Sequence, residues 1–238
     1  MMLRSLSADF LKIRGKGIWF LIFLAPIGLV AMQALNYGLR LDYLMKQYAD
    51  DLWGALIRDT TIFVPIALYL GVTLVSSLVA NVEHQMSSWK QLLALPISRT
   101  AVFSAKFTLC FLLLAVSCLL LPAFTVILGL ILGFDGAGIP VWDILRMGFS
   151  PLLAVLPMLA LELWLSLSFR NQALPVTIGV TAAIVSPFTL QLSEWFPLNW
   201  PTFGYTGPHA SWFIGAGVIC GAIIMILGLI HFNRKDVE

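Results

Sequence analysis

Glu162, in "LALELWLSLSF", is the one acid that stands clearly inside an apolar run of this chain. A charge at the centre of a membrane helix costs about 2.5–3.5 kcal/mol on insertion scales, so this side chain must face protein or water, or hold a proton. It lies seven residues before Phe169, roughly 10 Å from the end of its run at 1.5 Å per residue. Two roles suit it: a structural hydrogen bond, including one across a dimer of chains, or a position on a transport path. The other reactive residue types form no catalytic pattern. His84, His209 and His231 are far apart and make neither HxxxH nor HExxH, and Glu83-His84 has the wrong order for a zinc protease. No serine sits in GxSxG, and no second intramembrane carboxylate joins Glu162 as an acid dyad. The "GKG" at 15–17 lacks the spacing of a phosphate loop. The sequence therefore predicts no catalytic residue, no metal site and no ATP site of its own. Cys110, Cys118 and Cys220 all fall in apolar stretches, where they act as small hydrophobes.

A second kind of chemistry, the transfer of force, is suggested by "WKQLLALPISR" at 89–99. Met86, Trp89, Leu92 and Leu93 fall on one side of a helix, with Gln85, Lys90 and Gln91 elsewhere. Pro96 stops that helix, because the residue before a proline is pushed out of the helical region. About ten helical residues are marginal alone, so another surface must cover the apolar side. Periodicity leaves two readings open. The piece is an ordinary interfacial helix, or it is a stiff element that docks in the groove of a cytoplasmic motor.

These residues must be positioned by a membrane scaffold. The chain is 60% hydrophobic and 11% charged, with a mean hydropathy of +0.93, too little polar surface for a soluble globule. Its net charge of +2 implies no nucleic-acid partner. The fold class expected is an all-α integral membrane protein, a single domain over 1–238, with six transmembrane helices near 18–35, 62–82, 101–134, 148–169, 173–192 and 212–232. The third is read as one tilted or Pro122-kinked span. Prolines also mark the runs at Pro26, Pro65, Pro157, Pro175 and Pro187. Leu3, Leu6, Phe10 and Ile13 recur among Arg4, Asp9, Lys12 and Arg14, the pattern of a helix lying flat in the inner interface on membrane lipid. Leu41, Leu44, Met45, Tyr48, Leu52 and Leu56 form a similar stripe, predicting one short helix in the loop after the first span. With the N-terminus inside, ten Lys and Arg lie on the cytoplasmic side and four outside, which places both termini in the cytoplasm. The last outer segment gathers Trp195, Trp200, Phe203 and Tyr205 between prolines and glycines. It reads as a loop or re-entrant turn at headgroup depth, serving as an aromatic anchor or as a surface for an amphipathic substrate.

The run "EHQMSSWKQLLALPISR" from Glu83 to Arg99, followed by Lys106, resembles the first cytoplasmic loop of ABC type-2 transporter permeases. In that family a Glu closing the second span precedes a short coupling helix, an "LLxLP-[IV]-S-R" run, and a Lys at the start of the third span. The resemblance implies that Glu83 and residues 89–95, with Met86, Trp89, Lys90, Leu92, Leu93, Pro96 and Arg99 as the ATPase-coupling set, contact a nucleotide-binding subunit. It places Arg99 and Lys106 at the inner headgroups. It further implies a partner ABC ATPase holding ATP and Mg, no cofactor on this chain, a second permease chain that is identical or paralogous, and a bacterial inner membrane. Many members have Gly-Thr where this chain has "MSSWK", and the Trp-Lys looks like permeases that expel lantibiotics and related peptide antibiotics. The reading is thus the permease subunit of an ATP-driven exporter of an amphipathic substrate. The alternatives are an ATP-independent channel or scaffold and, as the weakest, an intramembrane hydrolase.

Overall fold

The computed structural model describes residues 2–85 and 98–234. Among them there are helices and no strands. Helix α1 (Met2–Lys12) leads through "GKG" into α2 (Ile18–Gln47). Gly15 and Gly17 have φ of 79° and 76°, a left-handed conformation that side chains other than glycine enter at a cost. The "GKG" is thus a backbone turn between two helices. Next come α3 (Leu52–Thr61), α4 (Val64–Gln85) and α5 (Arg99–Ile131). A bent pair follows, α6 (Val141–Ala154) and α7 (Leu156–Ser168), then α8 (Ala173–Thr189), the short α9 (Trp200–Thr206) and α10 (Ala210–Arg234).

Four of these, α2, α4, α5 and α10, are long and apolar enough to cross a membrane, and the pair α6 and α7 makes a fifth if counted as one broken span. The run expected to span at 148–169, with Pro157 inside it, is a bent pair that begins earlier, at Val141. The chain bends by 49° between α6 and α7, because Pro157 in the first turn of α7 has no N–H to continue the ladder of α6. The third run, by contrast, is one helix of 33 residues despite Pro122, about 50 Å long at 1.5 Å per residue. It stops at Gly133, φ 85°, where Gly133 N–H donates to the Leu130 carbonyl and Phe134 N–H to that of Gly129. That is the Schellman pattern, in which a left-handed glycine turns the chain back over the last carbonyls.

The apolar stripe over 41–56 is not one helix. Its first part prolongs α2 beyond a non-helical Arg40. Its second part belongs to α3, started by Asp51, whose carboxylate accepts from Gly54 N–H at 2.8 Å. Trp53 of α3 lies over Gly129, where an added Cβ would sit 2.4 Å from the indole, and its Nε1–H donates to the Asp135 carbonyl at 2.9 Å. This seals the far end of α5.

The core runs along α4, α5 and α7, with α10 against α7 and α8 against α4. Glycines permit the contact of α10 with α6 and α7. A Cβ on Gly217 would meet the Ala154 backbone at 2.6 Å, one on Gly221 the Leu156 side chain at 2.8 Å, and one on Gly228 the Trp164 ring at 3.0 Å. Close backbone approach over small residues is how membrane helices gain dispersion contact without a hydrophobic effect between them. Gly215, on the same helix, has nothing within 4 Å of its Cβ position. Gly217→Leu is therefore expected to lower the thermal stability of the detergent-solubilised chain, read by fluorescence-detected size exclusion after heating, while Gly215→Leu leaves it near wild type.

Candidate functional site: a buried ion cluster at the ends of α4 and α5

The last turn of α4 and the first turns of α5 bracket residues 86–97. Met86, Trp89, Lys90, Leu92, Leu93 and Pro96 lie outside the described residues, so the geometry available is that of the frame holding both ends of their segment. Glu83 ends α4 with its side chain 1% exposed, and Lys106, on the second turn of α5, is 2% exposed. Lys106 Nζ donates to Glu83 Oε1 at 3.0 Å. The same oxygen accepts from Lys12 Nζ of α1 at 2.8 Å, and Lys106 also reaches Asp9 Oδ1 of α1 at 3.4 Å. Two carboxylates and two ammonium groups thus form an electrically neutral cluster joining three helices.

The rest of the frame is hydrogen-bonded. Ser98 Oγ caps α5 by accepting from Ala101 N–H at 3.2 Å. Arg99 Nη1 donates to the Asn233 carbonyl near the end of α10 at 3.3 Å. His84 Nε2 lies 3.0 Å from the Ser166 carbonyl of α7, and Trp164 Nε1–H donates to His231 Nδ1 between α7 and α10 at 3.1 Å. Both termini therefore gather at the end of the bundle where residues 86–97 begin and finish.

This arrangement differs from a helix lying flat with its charges outward. The face of α1 turned inward carries Ser5 and Asp9, continued by Ile13 just past its end, at 9%, 4% and 2% exposure, and packs on α5. Leu11 is 68% exposed. Burial lifts the Asp9 carboxyl above its ordinary value, with Glu83 adding to the effect and Lys106 opposing it. Its second oxygen, Oδ2, has no hydrogen-bond partner among the described residues, so Glu83 is the better-held acid of the two.

Asp9 and Lys12 were not expected at this site. The local signal for them is faint, since an acid and a base on an amphipathic helix usually mark its wet side. Glu83 and Lys106 are brought together, but inside the protein. Arg99 sits beside them at the start of α5.

Glu162 is fully buried on α7, 0% exposed. Neither of its carboxyl oxygens, nor Ser166 Oγ one turn later, has a hydrogen-bond partner among the described residues. The aromatic residues at the opposite end do not act alike. Trp200 is 7% exposed and packs with Phe213 and Ala154, while its Nε1–H donates to the Trp195 carbonyl at 3.0 Å. Trp195 is 55% exposed. Phe203 stacks at 5.6 Å on Phe213, and Tyr205 lies under the Arg146 guanidinium at 5.9 Å. Rather than an open loop, the segment contains a 3-10 turn at Pro197–Asn199 and helix α9. It is pinned by buried Asn199, whose amide donates to the Thr189 and Ser193 carbonyls at 2.8 and 3.0 Å.

A helical scaffold with four to five helices able to cross a membrane and a buried ion cluster at the ends of its second and third long helices belongs to the class of multi-span membrane proteins. The chain matches the family described as ABC-2 family transporter protein over residues 5–186, more than half its length. It belongs to that family, as the membrane permease subunit of an ABC transporter, and works with an ABC ATPase subunit rather than as the ATPase itself. The match takes in Asp9, Lys12, Glu83, Lys106 and Glu162, and ends before the aromatic segment and α10. Neither a curated protein nor a solved structure matches the chain.

Removing one partner of a buried ion pair leaves an uncompensated charge and costs about 3–5 kcal/mol. Glu83→Gln is therefore expected to destabilise the chain more than Asp9→Asn does, and Glu83→Gln with Lys106→Met to recover part of the loss, as melting curves in one detergent would show. The Asp9 pH dependence follows from its raised value. The folded chain takes up that proton at higher pH than the unfolded chain, so the stabilisation from protonated Asp9 is complete below the unfolded value and is lost as pH rises through the folded one. Melting temperatures of wild type and Asp9→Asn, followed from neutral pH toward the ordinary carboxylate range, should show wild type gaining on the variant as pH falls.

Proposed function

We propose that this chain is the permease subunit of an ATP-driven exporter in a bacterial inner membrane, and that residues 86–97 are the element through which its ATPase partner moves it. The observation that carries the reading is the neutral cluster of Asp9, Lys12, Glu83 and Lys106, which ties both ends of that segment to α1. A push on a segment anchored in this way is delivered to α1, α4 and α5 together rather than absorbed by fraying ends. Glu83 then acts as a positioning residue, while Met86, Trp89, Lys90, Leu92 and Leu93 supply the surface that meets the ATPase, ended by Pro96.

Counting the bent pair α6 and α7 as one span and α8, with 17 residues and about 26 Å of length, as another gives six spans. Six spans place both termini on one side, in keeping with the contacts of α5 with Asp9 and Asn233. The excess of Lys and Arg makes that side cytoplasmic. α1 then lies at the inner interface with Leu11 toward lipid. A complex of two permease chains, identical or paralogous, with two ATPase subunits holding ATP and Mg completes the assembly. The cargo is an amphipathic molecule such as a peptide antibiotic of the lantibiotic type, which enters from the membrane or its outer surface past the exposed Trp195. Enclosure of Glu162 within a single chain supports a place on the transport path over a contact between chains.

Reconstitution with the ATPase tests the coupling. ATP turnover should rise over that of the ATPase alone, and Leu93→Asp should abolish the rise while leaving the melting temperature unchanged. Equal turnover with wild type and Leu93→Asp would contradict the coupling role. Glu162→Gln should leave assembly intact and reduce export in a resistance assay against peptide antibiotics; unchanged export would return Glu162 to a structural role.

A further inference from the structure

A groove of about 330 Å³ opens between α2, α4 and α5. Its lining is hydrocarbon apart from the Ser117 hydroxyl and the Cys118 thiol. On α2 it runs from Leu21 to Leu29, about 12 Å along the helix at 1.5 Å per residue. Gly28 forms part of its wall, and an added Cβ there would have nothing within 4 Å. On the facing side, a Cβ on Gly71 would come within 3.3 Å of Leu114, so the floor is already tight. The mouth is lateral: Leu24 is 48% exposed, Gly28 is exposed, and all three walls are helices able to cross a membrane.

We infer that this groove holds an acyl chain of a resident bilayer phospholipid. Three considerations select that occupant. The first is the medium: at the depth of three membrane spans the molecules that meet a lateral opening are lipid tails, and a groove with no hydrogen-bonding demand beyond one hydroxyl and one thiol suits a saturated chain. The second is size. One chain of a leaflet about 15 Å deep, half of a 30 Å hydrocarbon core, is close to the length of the α2 wall. The third is packing, because an unfilled groove forfeits the dispersion contacts that hold helices together where no hydrophobic effect operates between them. A chain seated here touches α4 and α5, the same helices that carry the ion cluster at their ends. The inference does not depend on ATP coupling, and its test does not use the ATPase.

The test is photolabelling of the full-length chain in vesicles of phosphatidylethanolamine and phosphatidylglycerol, doped with a phospholipid that carries a diazirine midway along one acyl chain. Mass spectrometry should place adducts on the facing groove wall, in the peptide covering 67–75, as well as on outward residues of α2 such as Phe20 and Ile27. Gly28→Leu and Gly28→Phe each put a side chain into the open space, and should remove most labelling of 67–75 while leaving that of Phe20 unchanged. Gly38→Leu, on an exposed glycine outside the groove with nothing within 4 Å, should leave both unchanged. The wild-type map decides even if a Gly28 variant folds poorly: adducts confined to Phe20 and Ile27 would overturn the assignment. So would labelling of 67–75 that persists in well-folded Gly28→Leu, or disulfide formation between two chains carrying Gly28→Cys, which would show that a second copy covers the groove.

Discussion

Lys106 is held between two carboxylates at the end of the bundle, 3.0 Å from Glu83 and 3.4 Å from Asp9, and the geometry around residues 86–97 depends on that arrangement. An ammonium group placed out of water on a membrane helix is stable only with its charge matched nearby. Glu83 alone would balance Lys106, but Glu83 is also claimed by Lys12, and Asp9 restores neutrality. The consequence is mechanical. Because no member can leave without exposing a buried charge, α1, α4 and α5 behave at this end as one body.

The opposite end is built differently. There most of the contacts are uncharged, with Trp53 laid over Gly129, Tyr37 and Phe134 edge to face, and Asn199 bonded to the carbonyls of Thr189 and Ser193, beside the Arg146 guanidinium over Tyr205. Such contacts are short-ranged and can be exchanged without stranding a charge. Under the function proposed above, this contrast would separate a charge-locked end that receives force from an aromatic, partly exposed end that repacks around the cargo. Between them the α6–α7 bend at Pro157 and the glycine seam of α10 give the bundle its broken span and its tight pair.

Much of this was legible from residue types and spacing. Apolar runs found α4, α5 and α10 to within a few residues, since hydrocarbon thickness fixes the length a span must have, but α2 continues twelve residues past the expected end at 35. The α1 stripe gave a helix in the right place, but the polar face assignment failed at Asp9, whose partner Lys106 is ninety-seven residues away. No local period encodes such a pairing. Pro157 and Pro122 were equivalent as letters, yet only the first breaks its helix, since a membrane helix tolerates proline where the freed carbonyl is satisfied in another way. In the aromatic segment Trp195 and Trp200 looked alike, and it is the packing of Phe213 and Ala154 that makes one exposed and the other core. The positive φ angles of "GKG" show the turn those glycines serve.

The most direct measurement of the central claim is a spin-label distance between α1 and the start of α5 in the reconstituted complex. Labels at Leu11 and Thr100, both exposed, in a background with the three native cysteines replaced, report whether these helices move together. One narrow distance is expected, the same without nucleotide and with ATP trapped, broadening when Lys106→Met is introduced. A second distance appearing in the otherwise native chain when ATP is trapped would show that α1 separates from α5 during the cycle, and the ion cluster would not be the joint described here.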